Sequence, residues 1–239
     1  MPVNVAYAGT INVAVASNAL IALKFLADDF FTKYNHKVVI SSGSTGKLYS
    51  QIINGAPFDI FLAANEREPL RLEQNNAIVT SSRFTYAYGR LALCTIKQKF
   101  NNDIKNIVDF NKVQFNRLAI ANPKIAPYGL AAEQFLKKKN IWEVLQNKII
   151  RAENINQAFQ YVISGNADFG VVALSQVKQY FVKPLYCKVI SDTLHEALKQ
   201  QAVLLTRSKN NPAANEFYTY LKSKQVKFIL NNKFGYSVN

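Results

Sequence analysis

Strand-like and helix-like segments alternate along almost the whole chain, and this rhythm limits the possible folds more than any other feature. "TINVAVA" reads as a strand, and residues 18–34 read as a helix with Leu20, Leu23, Ala27, Phe30 or Phe31, and Tyr34 facing inward. "KVVIS", a helix over 45–54, "FDIFLAA" and a helix over 66–74 follow. "FTYAYGRLALCTI" is one long extended segment, suited to crossing between lobes. The pattern resumes with "RLAIA", a helix over 130–139, "KIIRA", a helix over 155–163, "DFGVVA" and "QAVLLT", and ends in a helix over 212–232. Such alternation predicts an α/β fold with mostly parallel sheets. A length of 239 residues allows one large domain or two small ones.

An internal echo favours two lobes. "LYSQIINGAPFDIFLAA" and "AFQYVISGNADFGVVAL" share a plan: a helix carrying Gln51 or Gln160, a glycine stop at Gly55 or Gly165, then Asp59 or Asp168 before a buried strand. One copy lies in each half of the chain. Helix–glycine–strand is a common arrangement, so chance similarity is the competing account.

The stretch "SSGSTGKL" has the glycines and lysine of a phosphate-binding loop, but Ser41 and Leu48 occupy two of that loop's four fixed positions. Leu48 stands where the magnesium-ligating hydroxyl belongs, which argues against a nucleotide. What remains is a strand, a turn and a helix start with Ser44 or Thr45 as its N-cap. Free N–H groups and a hydroxyl there can hold an anion, although an ordinary N-cap would read the same. Lys47 reads as a solvated first-turn residue.

Composition narrows the classes further. The chain is 49% apolar and 12% aromatic, which indicates a globular core. It has no apolar run of about 18 residues. Cys94 and Cys187 lie far apart, outside any C-x-x-C, in apolar strand-like stretches. The expectation is two buried free thiols, with a single disulfide left open. The formal charge of +14 comes from 29 Lys and Arg spread along the chain. No zinc-finger spacing or RNP-like aromatic motif accompanies them, so the charge fits the attraction of small anions better than nucleic-acid binding. No nucleophile elbow or metal-spaced histidine pair points to an enzyme. His36 and His195 read as surface or hinge residues. Ala6-Tyr7-Ala8 matches the A-x-A pattern of signal-peptidase sites. It is read as the end of a removed signal peptide, against chance occurrence in an Ala-rich strand.

Four predicted helix starts follow predicted strands: Ser17 and Asn18; Ser44 and Thr45; Tyr128 and Gly129 behind Pro127; and Asn154 and Ile155, where Asn154 and Gln157 approximate a capping box. In parallel α/β sheets ligands bind at these strand ends. Two from each lobe, facing across a cleft, would aim N–H donors and partial positive charge at one volume. A tetrahedral oxyanion suits such a cage.

The motifs "VAVASNAL", "SSGSTGKLYSQIINGAPFDIFLAAN", "RLAIANPKIAPYGLAAEQFL", "NINQAFQYVISGNADFGVVALSQV" and "FYTYLKSKQVKFILNNKFGY" run in order from about residue 11 to the C-terminus. Through them the chain resembles the periplasmic molybdate-binding proteins of ABC importers, within the type II solute-binding superfamily. The resemblance implies two Rossmann-like lobes with mixed, mostly parallel sheets, residues 1–85 with 199–239 and residues 86–198. It implies a hinge near residues 86–88 and 195–201. It also implies an extracytoplasmic monomer that is not an enzyme and needs no cofactor or nucleic acid. Such a protein would deliver molybdate or tungstate to an ABC permease, with molybdenum present only as the bound oxyanion and no direct protein–metal ligand. Ser17, Asn18, Ser44, Thr45, Tyr128 and Ile155 match the anion-contacting positions, with Tyr128 and Ile155 contributing backbone N–H groups. Ala173 stands where some relatives place a tyrosine hydroxyl, which removes one donor. The alternatives are the same fold serving sulfate, phosphate or a small organic anion.

Overall fold

The computed structural model describes residues 8–105 and 113–238; Ala6 and Tyr7 of the A-x-A pattern lie outside them. Two five-stranded sheets are built to one plan. In the first, β1 (Gly9–Ala16) lies parallel between β2 (His36–Gly43) and β3 (Ile60–Leu62), followed by β10 (Leu198–Leu204), antiparallel to both β3 and β4 (Phe84–Gly89). In the second, β6 (Leu118–Ala121) lies parallel between β7 (Ile149–Ala152) and β8 (Phe169–Ala173). Beyond β8 come β5 (Leu91–Thr95) and β9 (Tyr186–Val189), each antiparallel to its neighbour. The expected two-lobe architecture with mixed sheets is the one observed, but the sheets are not mostly parallel. β10 and β5 each pair antiparallel on both sides, so among the described residues four strand pairings are parallel and four antiparallel.

The extended segment around residue 90 is two strands rather than one. β4 pairs with β10 as far as Gly89, and β5 starts at Leu91 in the other sheet. The expected lobe limit between residues 85 and 86 falls inside β4. The chain returns to the first sheet between β9 and Leu198. Both passages lie side by side, because the strands they join are neighbours in each sheet.

Apolar spacing accounts for the helices around the sheets. In α1 (Leu20–Tyr34) the buried residues are Ala22, Leu23, Leu26, Ala27 and Phe30, one face at three- and four-residue steps. Phe30, fully buried, is the inward member of its pair, and Phe31 points outward. Burying such a ring contributes about 1.5–3 kcal/mol. Asn35 then takes a left-handed conformation (φ 55°) and stops the helix. The expected helix over 212–232 is two helices, α8 (Pro212–Leu221) and α9 (Lys224–Phe234). The break is at Ser223, whose hydroxyl accepts from the Val226 N–H at 3.2 Å and starts a new helix. The remaining helices are α2 (Thr45–Ile53), α3 (Arg67–Gln74), α4 (Pro127–Lys138), α5 (Trp142–Leu145), α6 (Ile155–Ile163) and α7 (Leu174–Val177).

The internal echo is structural as well as textual. Gly55 and Gly165 both hold positive φ, 87° and 79°, just after α2 and α6. Asp59 accepts from the Asn12 N–H at 2.7 Å, and Asp168 accepts from the N–H groups of Asn116 and Arg117 at 2.7 and 3.0 Å. Each carboxylate thus ties the chain before its strand to the neighbouring strand or to its approach. Asp168 also binds the Lys97 ammonium. Burial raises its pKa, but Lys97 and the two N–H groups outweigh that, and the carboxyl sits below its ordinary value.

The cysteine expectation needs correction. Cys94 and Cys187 form a disulfide, with Cα atoms 4.2 Å apart. Antiparallel pairing of β5 with β9 sets them directly opposite each other. That register joins residues 93 positions apart, a relation that local sequence does not contain.

Candidate functional site

The six sequence-predicted site residues converge. Ser17, Asn18, Ser44, Thr45, Tyr128 and Ile155 line one small cavity between the two sheets, together with Ala16, Gly43, Ala64, Ala126 and Pro127. Its free volume is about 10 Å³ for the centre of a water-sized sphere. No Lys, Arg, Asp or Glu is among the described residues that line it.

Each wall is the end of a strand and the start of a helical segment. β1 runs into a 3-10 turn, Ser17–Ala19, and β2 runs through Ser44 into α2. α4 begins with Pro127 at its first position, which fixes φ and leaves the Tyr128 N–H in the first turn. α6 begins after Asn154, whose side chain accepts from the Gln157 N–H at 3.0 Å, while the Gln157 side chain accepts from the Glu153 N–H at 2.7 Å. The anticipated capping box is therefore present, reaching back to Glu153. It leaves the Ile155 N–H, in the first turn, without an intrahelical acceptor. Four helix starts thus bring donors and partial positive charge to one place.

The two hydroxyls of α2 behave differently. The Thr45 hydroxyl accepts from the Ala64 N–H at 3.1 Å and retains its own proton to donate. Ser44 is 2% exposed, and its hydroxyl has no hydrogen-bond partner among the described residues. A buried hydroxyl left in that state costs about 1–3 kcal/mol, so its place in a wall of the cavity points to a ligand oxygen as its missing partner.

The side chains of Asn18 and Tyr128 reach away from the helix starts. The Asn18 amide donates to Gln200 Oε1 at 2.8 Å and to the Tyr236 hydroxyl at 3.0 Å. The Tyr128 hydroxyl accepts from Gln200 Nε2 at 3.0 Å. Gln200 thus engages both side chains. Burial raises the pKa of the Tyr128, Tyr86 and Tyr236 phenols, the last to about 12, so all three are neutral near pH 7.

Lys47 departs from its reading as merely solvated. Although half-exposed, it pairs with Glu153 of the other lobe at 2.5 Å. Beside it the Gly46 N–H donates to the Ile125 carbonyl at 2.9 Å. Both contacts cross the cleft, so the lobes are closed on one another. A wider hollow of about 660 Å³, lined by Ser41, Lys47, Gln51 and Glu153 among others, opens at this mouth. His195 is buried at the return passage, and His36 pairs with Glu216 at 2.9 Å. No metal-holding cluster of His, Cys, Asp or Glu occurs among the described residues.

Sequence reasoning missed the polar residues behind the cavity, chiefly Gln200, Tyr86, Tyr236 and Ser175. Gln200 carried no clear signal, since it stands in the polar stretch Lys199–Gln201 just before the apolar run that starts at Ala202.

The family model for bacterial extracellular solute-binding proteins matches residues 11–237. The chain belongs to this family. Among curated relatives of this solute-binding protein, the molybdate-binding protein ModA of Azotobacter vinelandii is 42% identical, covering 98% of this chain and 92% of that protein. ModA of Rhodobacter capsulatus is 34% identical, covering 97% and 89%. The solved periplasmic molybdate-binding protein of Azotobacter vinelandii superposes with a TM-score of 0.88 at 34% identity, covering 96% of this chain and 99% of that one. These relatives are molybdate-binding proteins by name.

Proposed function

We propose that this solute-binding protein captures molybdate or tungstate in its interlobe cavity and delivers the anion to an ABC permease. The observation that carries the reading is the convergence of four helix starts on one buried cavity that contains an unpartnered serine hydroxyl. Ser17, Asn18, Ser44, Thr45, Tyr128 and Ile155 are the binding residues, through backbone N–H groups and the hydroxyls of Ser17, Ser44 and Thr45. Hydrogen bonds to a charged acceptor are worth about 1.5–3 kcal/mol each, so several together suffice without a lysine or arginine. The cage lacks a carboxylate to accept a proton. It therefore suits a fully deprotonated tetrahedral dianion better than hydrogen phosphate. Metal enters only as this oxyanion, and no cofactor is needed.

The lobes, each holding one sheet and parted at Gly89–Leu91 and again before Leu198, close over the anion by rotation about the paired crossings. The work is extracytoplasmic and performed by a monomer. The Cys94–Cys187 disulfide supports an oxidising compartment. The relatives' names support the anion and the periplasmic setting. Isothermal titration with molybdate, tungstate, sulfate and phosphate tests the proposal. Tight binding of the first two over the others is expected, and silence with both, or equal affinity for sulfate, refutes it.

A further inference from the structure

Behind the anion cavity lies a polar cluster for which capture alone gives no reason. Gln200, fully buried on β10, sits at its centre. Its Oε1 accepts from the Asn18 amide and from the Tyr86 hydroxyl, both at 2.8 Å, and both belong to the first lobe. Its Nε2 donates to the Tyr128 hydroxyl at 3.0 Å, and Tyr128 belongs to α4 of the second lobe. The Tyr236 hydroxyl and the Ser175 hydroxyl both donate to the Asn18 carbonyl, at 3.0 and 3.1 Å, and Ser175 is again of the second lobe. One amide therefore joins the backs of two helix starts that face the anion from opposite sides. Gly89, at the chain's first crossing, is shaped to this contact. A Cβ there would lie 2.3 Å from the Tyr128 hydroxyl and 2.6 Å from Gln200 Nε2.

We propose that Gln200 is a positioning residue that couples lobe closure to the anion site. Its amide holds the Tyr128 phenol, and with it the first turn of α4, only when the lobes are shut. The inference rests on the proposed anion function. In the open state the Tyr128 phenol leaves Gln200, and Gln200 Nε2 and the phenol are free to meet water. Closure restores the pair and brings the Tyr128 N–H to the cavity in the same movement. The pair stabilises the closed, loaded protein and takes no part in the first encounter, so its loss quickens release and leaves capture unchanged.

The test measures molybdate binding and release for wild type, Tyr128→Phe, Gln200→Met and the double variant. Tyr128→Phe keeps the ring and the backbone N–H and removes only the hydroxyl. Each single variant is expected to raise the dissociation rate about fivefold, the scale of one buried hydrogen bond, with the association rate unchanged. The double variant is expected to be no worse than the weaker single one, because both lose the same bond. Small-angle scattering at matched sub-saturating molybdate is expected to show a larger open fraction in the variants. Should Gln200→Met fail to fold, Tyr128→Phe carries the same comparison. Wild type that binds neither molybdate nor tungstate overturns the proposed function and this inference together. Wild type that binds, with variants releasing at its rate or with fully additive effects, overturns this inference alone.

Discussion

Ser44→Ala and Thr45→Val separate a ligand-binding hydroxyl from a structural one, although the two residues are adjacent. The Ser44 hydroxyl is buried without a partner, so removing it from the empty closed protein relieves a penalty of about 1–3 kcal/mol. Loss of a donor to a charged oxygen costs the complex about 1.5–3 kcal/mol. Ser44→Ala is thus expected to raise the dissociation constant for molybdate about 10- to 150-fold. The ligand-free melting temperature should hold or rise by about 2–4 °C, the shift for 1 kcal/mol in a chain of this size. Thr45→Val is isosteric but strands the Ala64 N–H, which the threonine oxygen accepts at 3.1 Å. Its ligand-free protein is expected to lose about 1–3 kcal/mol, and its affinity falls as well. Calorimetric titration and scanning on the same preparations give both quantities. Unchanged affinity in Ser44→Ala, or a ligand-free protein destabilised as much as Thr45→Val, would refute the assignment of Ser44 as the residue awaiting an anion.

Three further outcomes follow from contacts away from the cavity floor. Lys47→Met removes the cross-cleft pair with Glu153, which is half-exposed and worth about 0–1 kcal/mol; the affinity loss, read by titration, should stay within about fivefold and vanish at high salt. Gly129→Ala places a Cβ 2.3 Å from the Ala121 carbonyl oxygen and 2.7 Å from its carbon, both backbone, so α4 must shift. About 1–3 kcal/mol of stability and most anion binding should be lost, measured by denaturant melts and titration. Asp168 has a folded-state pKa below the ordinary 3.8, so its carboxylate stabilises the protein above that value, and the contribution disappears as pH falls through the folded pKa. Asp168→Asn should therefore lower stability at pH 6 and flatten the acid limb below about pH 4 in urea melts across pH.

The elements were legible in the sequence where period and punctuation agreed. The start of α6 was visible because Asn154 and Gln157 stand at capping distance, and the end of α2 because Gly55 supplies the left-handed stop. The residues that line the cavity were legible for a related reason. Each stands at a strand end before a helix, and an α/β fold sends such points to one edge of each sheet. What local reading missed depends on strand order. The Cys94–Cys187 bond follows from β9 pairing beside β5, and Gln200 meets Tyr128 because β10 returns to the first sheet beside β4. The division of "FTYAYGRLALCTI" into two strands has the same origin, since nothing within it marks Arg90 as the point of departure. Lys47 was underrated because its partner Glu153 stands 106 residues away, in the other lobe.

The disulfide has a mechanical consequence. Cys94 lies in the strand that leaves the first crossing, and Cys187 lies in the strand that leads into the second. Their bond rivets the roots of the two connecting segments together inside one lobe, and in the other lobe the same segments end in the paired strands β4 and β10. Two straps fastened side by side at both ends bend readily about a single line and resist twisting. Under the proposed closure the lobes would turn as a door on a pin rather than a ball in a socket, and would bring the same four helix starts back to the same place.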